Sequence, residues 1–166
     1  MTTRAAPQIP VIVREATPAD HAFLVDCNLA MARETEGRLL DRATLQRGIA
    51  GVLGTPSRGF YLVAENGGGA AGCVLVTREW SDWRNGDWWW LQSVYVLPAA
   101  RRHGVFRALR AAVRERARAR PDVVGLRLYV ERDNRVAQAT YGRLGLLETI
   151  YRMLEDEFEP GGGGHA

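Results

Sequence analysis

The stretch SVYVLPAARRHGVFRALRAAV, Ser93 to Val113, joins an apolar run to a helical pattern through a short basic turn. Aromatic and β-branched residues over 87–97 predict a strand, which Pro98 ends. After the turn, a helix is predicted from about Gly104 to Arg120. Its apolar positions recur at helical spacing and define one buried face: Val105, Leu109, Ala112, Val113 and Ala117. The sequence therefore predicts a strand that runs through a tight turn directly into a long helix.

The turn before this helix has the chemistry of an anion site. The first backbone amides of a helix have no partner inside the helix, and the helix dipole adds positive potential there. Gly104 carries no Cβ, so the main chain can approach a phosphate closely. Four basic side chains surround the glycine and can pair with further phosphates: Arg101, Arg102, His103 and Arg107. A solvated basic loop followed by a surface helix is the alternative interpretation.

Composition limits the class of protein. The chain has 166 residues, 46% hydrophobic and 25% charged, which suits one globular domain with a sizeable core. The net charge of +3 fits an anionic ligand and is too small for a nucleic-acid tail. Cys27 and Cys73 lack metal-ligand spacing and predict reduced thiols in a cytoplasmic protein. No apolar run approaches the ~20 residues that span a bilayer, and the N-terminus has no signal-peptide core.

Strands and helices alternate along the chain, with hairpins between them. Residues 1–10 are expected to be flexible, residues 11–157 to form the domain, and residues 158–166 to be a disordered glycine-rich tail. The fold class predicted is a single-domain α/β fold with a mixed, mostly antiparallel sheet of six to seven strands and about four helices. The strands are expected at 11–16, 59–65, 70–80, 87–97, 123–130 and 146–157, and the helices at 17–34, 41–53, 104–120 and 134–145.

Two segments resemble a known family. VYVLPAARRHGVFRAL resembles the acetyl-CoA-binding motif of the GNAT superfamily of N-acetyltransferases, in which a strand with valines and a proline leads to R/Q-x-x-G-x-G/A at a helix start. LYVERDNRVAQATYGRLGLLET is similar to the later strand–Asn–helix–Tyr segment of the same family. The order of elements fits that fold from about residue 11 to residue 157. The resemblance implies an acetyl-CoA-dependent N-acetyltransferase.

The resemblance also assigns the cofactor side of the site. It implies that the pantetheine arm bonds to the main chain of the fourth strand like an added strand, at Val94, Tyr95 and Val96. The pyrophosphate would then lie on the turn and first helical residues, at Arg101, Arg102, His103, Gly104, Val105, Phe106 and Arg107. Asn134 matches a cofactor-contacting asparagine, and Tyr141 matches the tyrosine that protonates the leaving thiolate. A phenol with an ordinary pKa of ~10 is a plausible donor for a thiolate.

Two positions depart from the family pattern. Phe106 stands where the family has a small residue close to the ligand, so its ring must enter the core or shape the acyl pocket. Leu146 replaces the phenylalanine that often follows the glycine, which is a tolerable apolar exchange. Neither departure removes a catalytic group.

Acidic residues are the candidates for the acceptor side. The candidates for the general base are Glu34, Glu79 and Asp82, with Glu34 named as the catalytic residue. The candidates for substrate binding are Glu34, Glu79, Asp82 and Trp83, because the resembled fold places these connections beside the acceptor cleft. Two routes for the amine proton stay open: a carboxylate takes it directly, or a water molecule relays it to the base. A solvated helix end explains Glu34 equally well, and a turn held by Asp82, Asn85 and Gly86 explains the hairpin.

The function predicted is transfer of an acetyl group from acetyl-CoA to a primary amine of a small cationic acceptor. No metal, no membrane and no nucleic acid are expected as partners, and a homodimer is expected from the resemblance alone. Two alternatives stay open. One is a nucleic-acid-binding module that uses the arginine-rich helix 101–120, and the other is a degenerate family member that senses acetyl-CoA without turnover.

Overall fold

The computed structural model describes residues 10–156 and 158 of the protein. The predicted flexible N-terminus and glycine tail therefore lie outside the described residues, apart from Pro10 and Phe158. The described chain divides after Tyr129 into two compact units. The first unit holds a sheet and three α-helices, and the second holds one α-helix followed by a described segment without regular secondary structure.

Five strands and four α-helices make up the described chain. The strands are β1 Val11–Glu15, β2 Phe60–Asn66, β3 Gly69–Ser81, β4 Gly86–Val96 and β5 Val123–Arg127. The helices are α1 His21–Glu36, α2 Arg42–Leu53, α3 Val105–Arg118 and α4 Arg135–Arg143. Short 3-10 turns lie at Pro18–Asp20 and Pro98–Ala100.

The strands form one mixed sheet in the order β1-β2-β3-β4-β5. The first four strands are antiparallel neighbours, and β4 pairs with β5 in parallel through the α3 crossover. The prediction of a mixed, mostly antiparallel sheet is confirmed. The predicted number of six to seven strands is wrong for the described chain, because residues 146–156 form no strand.

Each face of the sheet carries its own apolar core. The buried face of α3 packs on one side, where Val105, Leu109 and Val113 contact residues of β2, β3 and β4. The helices α1 and α2 pack on the other side, where Leu24 and Ile49 share a core with Tyr95. The buried positions predicted for α3 are thus confirmed, with Ala112 only partly buried.

An ion pair fastens β1 to the start of the first helical region. The Arg14 guanidinium donates to both oxygens of the Asp20 carboxylate at 2.8 Å. The backbone N–H of Thr17 donates to the same carboxylate at 2.7 Å. These bonds, the guanidinium first, hold the pKa of Asp20 at about 2.

Candidate active site

A bulge in β4 separates its two halves. Leu75 pairs with Gln92 and Cys73 pairs with Tyr95, so β4 holds one residue more than β3 between these pairs. Ser93 takes up the extra length with a φ of 47°, which is unusual for a residue with a side chain. The bulge lies at the start of the opening motif, and the sequence pattern does not reveal it.

The bulge adjoins a fork between β4 and β5. The two strands pair only from Asp87 to Trp90 on the β4 side, opposite Val123–Arg127. From Leu91 to Val96, the edge of β4 that faces away from β3 has no strand beside it among the described residues. The sheet therefore contains an interior strand whose second half has an open backbone edge.

The open edge directs backbone groups into the fork. The N–H of Leu97 donates to the Ala71 carbonyl on the β3 side at 2.9 Å. Successive residues of a strand alternate in direction, so Val96 and Val94 direct their backbone groups to the open side. The Arg101 side chain already uses one of these groups, since its Nε donates to the Val96 carbonyl at 3.1 Å.

The strand leads directly into the N-terminus of α3. Gly104 precedes the helix with a φ of 83°, a left-handed conformation that a glycine adopts without strain. A Cβ on Gly104 would meet nothing closer than the flexible Arg107 Nη2 at 3.7 Å, so the space beside the glycine is open. The basic side chains of the motif are exposed around this point: Arg101, Arg102, His103 and Arg107. Phe106, in contrast, is half-buried.

Glu34 and Tyr95 form a polar cluster with Arg101 beside the open edge. The Tyr95 hydroxyl and the Arg101 guanidinium each donate to one oxygen of Glu34 at 2.6 Å. These two bonds lower the pKa of Glu34, the tyrosine bond having the larger effect. Burial, followed by the bond to Glu34, raises the pKa of Tyr95 to about 12. Both oxygens of the Glu34 carboxylate therefore already accept hydrogen bonds, and the carboxylate is a weak base in this arrangement.

Glu79 lies at the closed end of the fork, where β4 and β5 are still paired. It accepts a hydrogen bond from the indole N–H of Trp90 and another from Arg127 Nη1 at 2.8 Å. The Arg127 guanidinium also lies 4.1 Å from the centre of the Trp88 ring. Tyr129 packs on Trp90 with ring centres 6.0 Å apart. The closed end is thus an aromatic surface with one carboxylate and one guanidinium.

A glycine on β5 makes room for this aromatic surface. Trp88 pairs with Gly125 across the parallel ladder. A Cβ at Gly125 would lie 2.4 Å from the Trp88 ring, so only glycine fits under the indole. Arg84 lies 5.3 Å from the centre of the same ring. The ring is thereby held between β5 and two guanidinium groups.

The hairpin between β3 and β4 places the other two acceptor-side candidates at an exposed tip. Asp82 Oδ1 accepts a hydrogen bond from the Trp83 backbone N–H at 2.8 Å. Trp83 is 86% exposed, so its ring contacts little of the protein. Asp82 therefore shapes the turn, as the alternative interpretation expected, while Trp83 is left accessible.

The second unit carries Asn134 and Tyr141 on α4. The Asn134 side-chain oxygen accepts a hydrogen bond from the Ala137 backbone N–H at 3.0 Å and so caps the helix. Burial raises the pKa of the Tyr141 phenol, which therefore keeps its proton at neutral pH.

Three residues of the fork were missed by the sequence interpretation. Ser93 gives no signal, because an alternating strand pattern does not show a bulge. Gln92 donates to the Thr77 hydroxyl at 2.6 Å beside the fork, and nothing in its position marks it. Arg127 could have been found, because a charged residue within an otherwise apolar strand calls for a carboxylate partner.

The fork and the helix N-terminus lie inside a recognised domain. The model of the acetyltransferase (GNAT) family matches residues 23–146, which cover most of the chain. The chain belongs to the GNAT acetyltransferase family. A possible acetyltransferase from Clostridium difficile 630 is similar to this GNAT chain, with 38% identity and a TM-score of 0.84 over 90% of this chain and 98% of that one.

Two more distant structures share the fold of this GNAT acetyltransferase. A predicted acetyltransferase from Clostridium acetobutylicum, solved with acetyl-CoA, is 16% identical, with a TM-score of 0.73 over 89% of this chain and 96% of that one. The aminoglycoside N-acetyltransferase AAC(6')-Iy, solved in complex with CoA, is 15% identical, with a TM-score of 0.71 over 95% of this chain and 99% of that one. Among curated proteins, none matches the chain.

Two further observations concern the described part of this GNAT chain. None of its helices has the length and apolar composition that crossing a membrane requires. No three His, Cys, Asp or Glu side chains of the described residues are grouped so that they could hold a metal ion.

Proposed function

We propose that the chain transfers an acetyl group from acetyl-CoA to a primary amine of a small cationic acceptor, by direct attack in a ternary complex. The observation that supports this most is the continuity of the open β4 edge with the N-terminus of α3. A backbone edge suits the amides of a pantetheine arm, and a helix start suits a pyrophosphate. The two lie in the order that a single CoA molecule needs.

The cofactor is proposed to bind along this path. Its pantetheine amides would pair with the backbone of Val94 and Val96, which face the fork, with Tyr95 between them. Its phosphates would lie on the first amides of α3, Val105 to Arg107. The basic groups around Gly104 would neutralise the phosphates: Arg101, Arg102, His103 and Arg107. Asn134 remains a proposed contact in addition to its role as the cap of α4.

Binding along the edge requires Arg101 to change partners. Its Nε occupies the Val96 carbonyl, which the proposed pantetheine pairing would use. Glu34 holds the other end of the same guanidinium. We therefore propose Glu34 as a positioning residue for Arg101, in place of the general base expected from the sequence. A water-relayed proton acceptor is then the proposed route for the amine proton.

The proposed chemistry is nucleophilic substitution at the thioester carbonyl. The neutral amine nitrogen forms a bond to the carbonyl carbon, and the carbon–sulfur bond breaks with its electron pair left on sulfur. Tyr141 would donate its phenolic proton to that sulfur, a step for which a protonated phenol is needed. The raised pKa of Tyr141 keeps the phenol protonated at neutral pH.

Glu79 is the proposed anchor for the cationic acceptor. It lies at the closed end of the fork, on the side where β4 and β5 are still paired. The Arg127 guanidinium already rests on Trp88 and on Glu79, so this surface accommodates a cation between a carboxylate and an indole face. An acceptor ammonium would donate a hydrogen bond to one of the Glu79 oxygens. Asp82 and Trp83 on the exposed hairpin are proposed to contact the outer part of the acceptor.

Thermal unfolding with acetyl-CoA tests the cofactor half of the proposal. Acetyl-CoA at about a hundred times its dissociation constant should stabilise the fold by ~2.7 kcal/mol and raise Tm. Gly104→Glu should abolish the rise. Gly68→Glu is the matched control, because Gly68 also has a left-handed φ, 86°, and open space around it in a turn outside the fork. An undiminished rise in Gly104→Glu would remove the anion site from the proposal.

Turnover tests the acceptor half. A panel of cationic, neutral and anionic amines is incubated with acetyl-CoA, and release of free CoA thiol is followed. Buried Cys27 and Cys73 should add little to that signal. Cationic amines are expected to react best, and Glu79→Gln should lower kcat/KM for them by about tenfold, the loss of one charged hydrogen bond. A preference for anionic amines would assign recognition to Arg127 instead. Binding without any turnover would favour an acetyl-CoA sensor.

A further inference from the structure

A cavity of about 390 Å³ lies on the α3 face of the sheet, between the C-terminal ends of α2 and α3. Its volume is in the range of small-molecule sites. Ala119, which lines one wall, stands 15 positions after Gly104 along α3. At 1.5 Å per residue this wall is roughly 22 Å along the helix axis from the proposed pyrophosphate site. The cavity is therefore separate from the proposed path of acetyl-CoA.

The cavity and the closed end of the fork lie on opposite faces of the same strand pair. Arg78 pairs with Trp89 across β3 and β4, and the next pair is Glu79 with Trp88. Neighbouring residues of a strand point to opposite faces. Trp89 packs in the α3 core and, with Arg78, lines the cavity. A ligand in the cavity would thus contact side chains that the fork does not use.

The inner wall of the cavity is aromatic and apolar. The rings of Phe60 and Trp89 meet edge to face, with their centres 5.2 Å apart, and Leu53 lines the wall beside them. The loop before β2 is held against β3, because a Cβ on Gly59 would lie 2.2 Å from the Val76 carbonyl oxygen. The wall is therefore built on fixed backbone and suits an apolar, ring-sized group.

The more exposed lining residues are mainly cationic. Three of them are arginines: Arg78, Arg116 and Arg120. Arg116 pairs with Glu15, the one acidic lining residue, at 2.9 Å, and Arg120 pairs with Asp122 at 2.7 Å. Arg78 instead donates from Nη1 to the Pro56 carbonyl at 3.0 Å and forms no ion pair within the described chain. Its other N–H groups can therefore donate to an anion, and a planar guanidinium fits a carboxylate.

We propose that this cavity binds a small organic monoanion, with an apolar ring-sized body against Phe60 and Trp89 and a carboxylate on Arg78. One guanidinium without a carboxylate partner matches one negative charge. The aromatic wall and the cationic mouth together require both parts of such a ligand. The proposal does not depend on acetyl transfer in the fork.

Titration of the full chain with 3-phenylpropanoate tests the proposal. The indole N–H signals of the five tryptophans are followed by NMR in ¹⁵N-labelled protein, and Trp89→Phe and Trp83→Phe identify two of them. The Trp89 signal should shift and saturate, whereas the signal of Trp83, 86% exposed on the hairpin, should not move. The neutral amide of the same acid is the matched probe and should bind about tenfold more weakly. Saturating acetyl-CoA should leave the titration unchanged.

Two variants locate the bound acid. Arg78→Gln should weaken binding about three- to tenfold. Arg114→Gln is the control, because Arg114 is an exposed arginine of α3 outside the lining of the cavity. Ala119→Phe places a ring in the cavity and should abolish binding, with circular dichroism to check the fold.

Four results would overturn the proposal. The first is a Trp89 signal that does not shift and saturate in the wild type, and the second is equal affinity for the acid and its amide. The third is wild-type affinity in Arg78→Gln. The fourth is displacement of the acid by acetyl-CoA, which would assign the acid to the fork.

Discussion

The Glu34 carboxylate and the Arg101 guanidinium meet at 2.6 Å, although 67 positions separate them in the sequence. This bond ties the end of α1 to the turn before α3, and Arg101 extends the link to the open edge of β4. In the proposed function, this link assigns Glu34 to the cofactor side of the fork. The sequence interpretation had placed it on the acceptor side.

Replacing Glu34 should therefore affect acetyl-CoA more than the amine. In Glu34→Gln the side chain keeps its size and loses its charge, so Arg101 loses its anchor. The dissociation constant for acetyl-CoA, measured by calorimetry, is expected to rise about three- to tenfold, while the acceptor KM stays within twofold. Glu36→Gln is the control, because Glu36 is exposed and its ion pair with Arg38 is long, at 3.7 Å.

The opposite pattern would restore the role expected from the sequence. If Glu34→Gln lowers kcat/KM for the acceptor about tenfold and leaves acetyl-CoA binding unchanged, Glu34 serves the amine as base or anchor.

Removal of the Tyr141 hydroxyl should slow the chemical step. Tyr141→Phe is expected to lower kcat by roughly 10- to 10⁴-fold, since the leaving sulfur would depart without its proton donor. Acetyl-CoA affinity should change little. Tyr151→Phe removes a phenol hydroxyl from an exposed position of the same unit and is the control. Wild-type kcat in Tyr141→Phe, under conditions in which chemistry limits the rate, would reduce Tyr141 to a packing residue.

Deletion of Ser93 should remove the bulge and keep the fold. Residues 89 and 91 face the α3 core before the bulge, and residues 94 and 96 face it afterwards. Without Ser93, Val94 would lie opposite Val74 and the alternation would be regular on both faces. Circular dichroism and thermal unfolding should report a folded protein, and acetyl-CoA should no longer raise its Tm. A variant that binds acetyl-CoA as tightly as the wild type would separate the bulge from the cofactor site.

The Arg14–Asp20 pair should make stability depend on pH in the acid range. The pKa of Asp20 is lowered from 3.8 to about 2 in the folded chain, so its contribution is complete above about pH 4 and is lost as the pH falls towards 2. Asp20→Asn should cost roughly 2 kcal/mol at neutral pH and flatten the pH dependence between 4 and 2. Asp26→Asn, at an exposed pair with Arg42, should cost under ~1 kcal/mol.

The sequence predicted the elements whose pattern is local. The face of α3 was correct because Val105, Leu109, Val113 and Ala117 follow the helical period and are buried. Two of the helix ends also have local signals: Asp41 accepts from the Thr44 N–H and caps α2, and Gly37 ends α1 in the left-handed conformation. Such signals need no knowledge of the rest of the chain.

The features that were missed depend on partners distant in the sequence. Residues 146–156 have a strand-like composition, but a strand also needs a pairing partner, and no strand of the described chain pairs with them. The bulge at Ser93 exists only relative to the register of β3. Glu34 and Glu79 were recognised as carboxylates of interest, but their partners Arg101 and Arg127 lie 67 and 48 positions away. Composition alone cannot pair them.

The bond between Arg101 and the Val96 carbonyl has a consequence for the ligand-free chain. An interior strand with an open edge invites a foreign strand to add to it, which is how soluble sheets begin to aggregate. A charged side chain lying across that edge opposes such addition, because a neighbouring strand would have to bury the guanidinium or displace it from both Val96 and Glu34. The Arg101 guanidinium therefore opposes strand addition at this edge in the ligand-free chain, while a ligand small enough to displace only one side chain could still enter the fork.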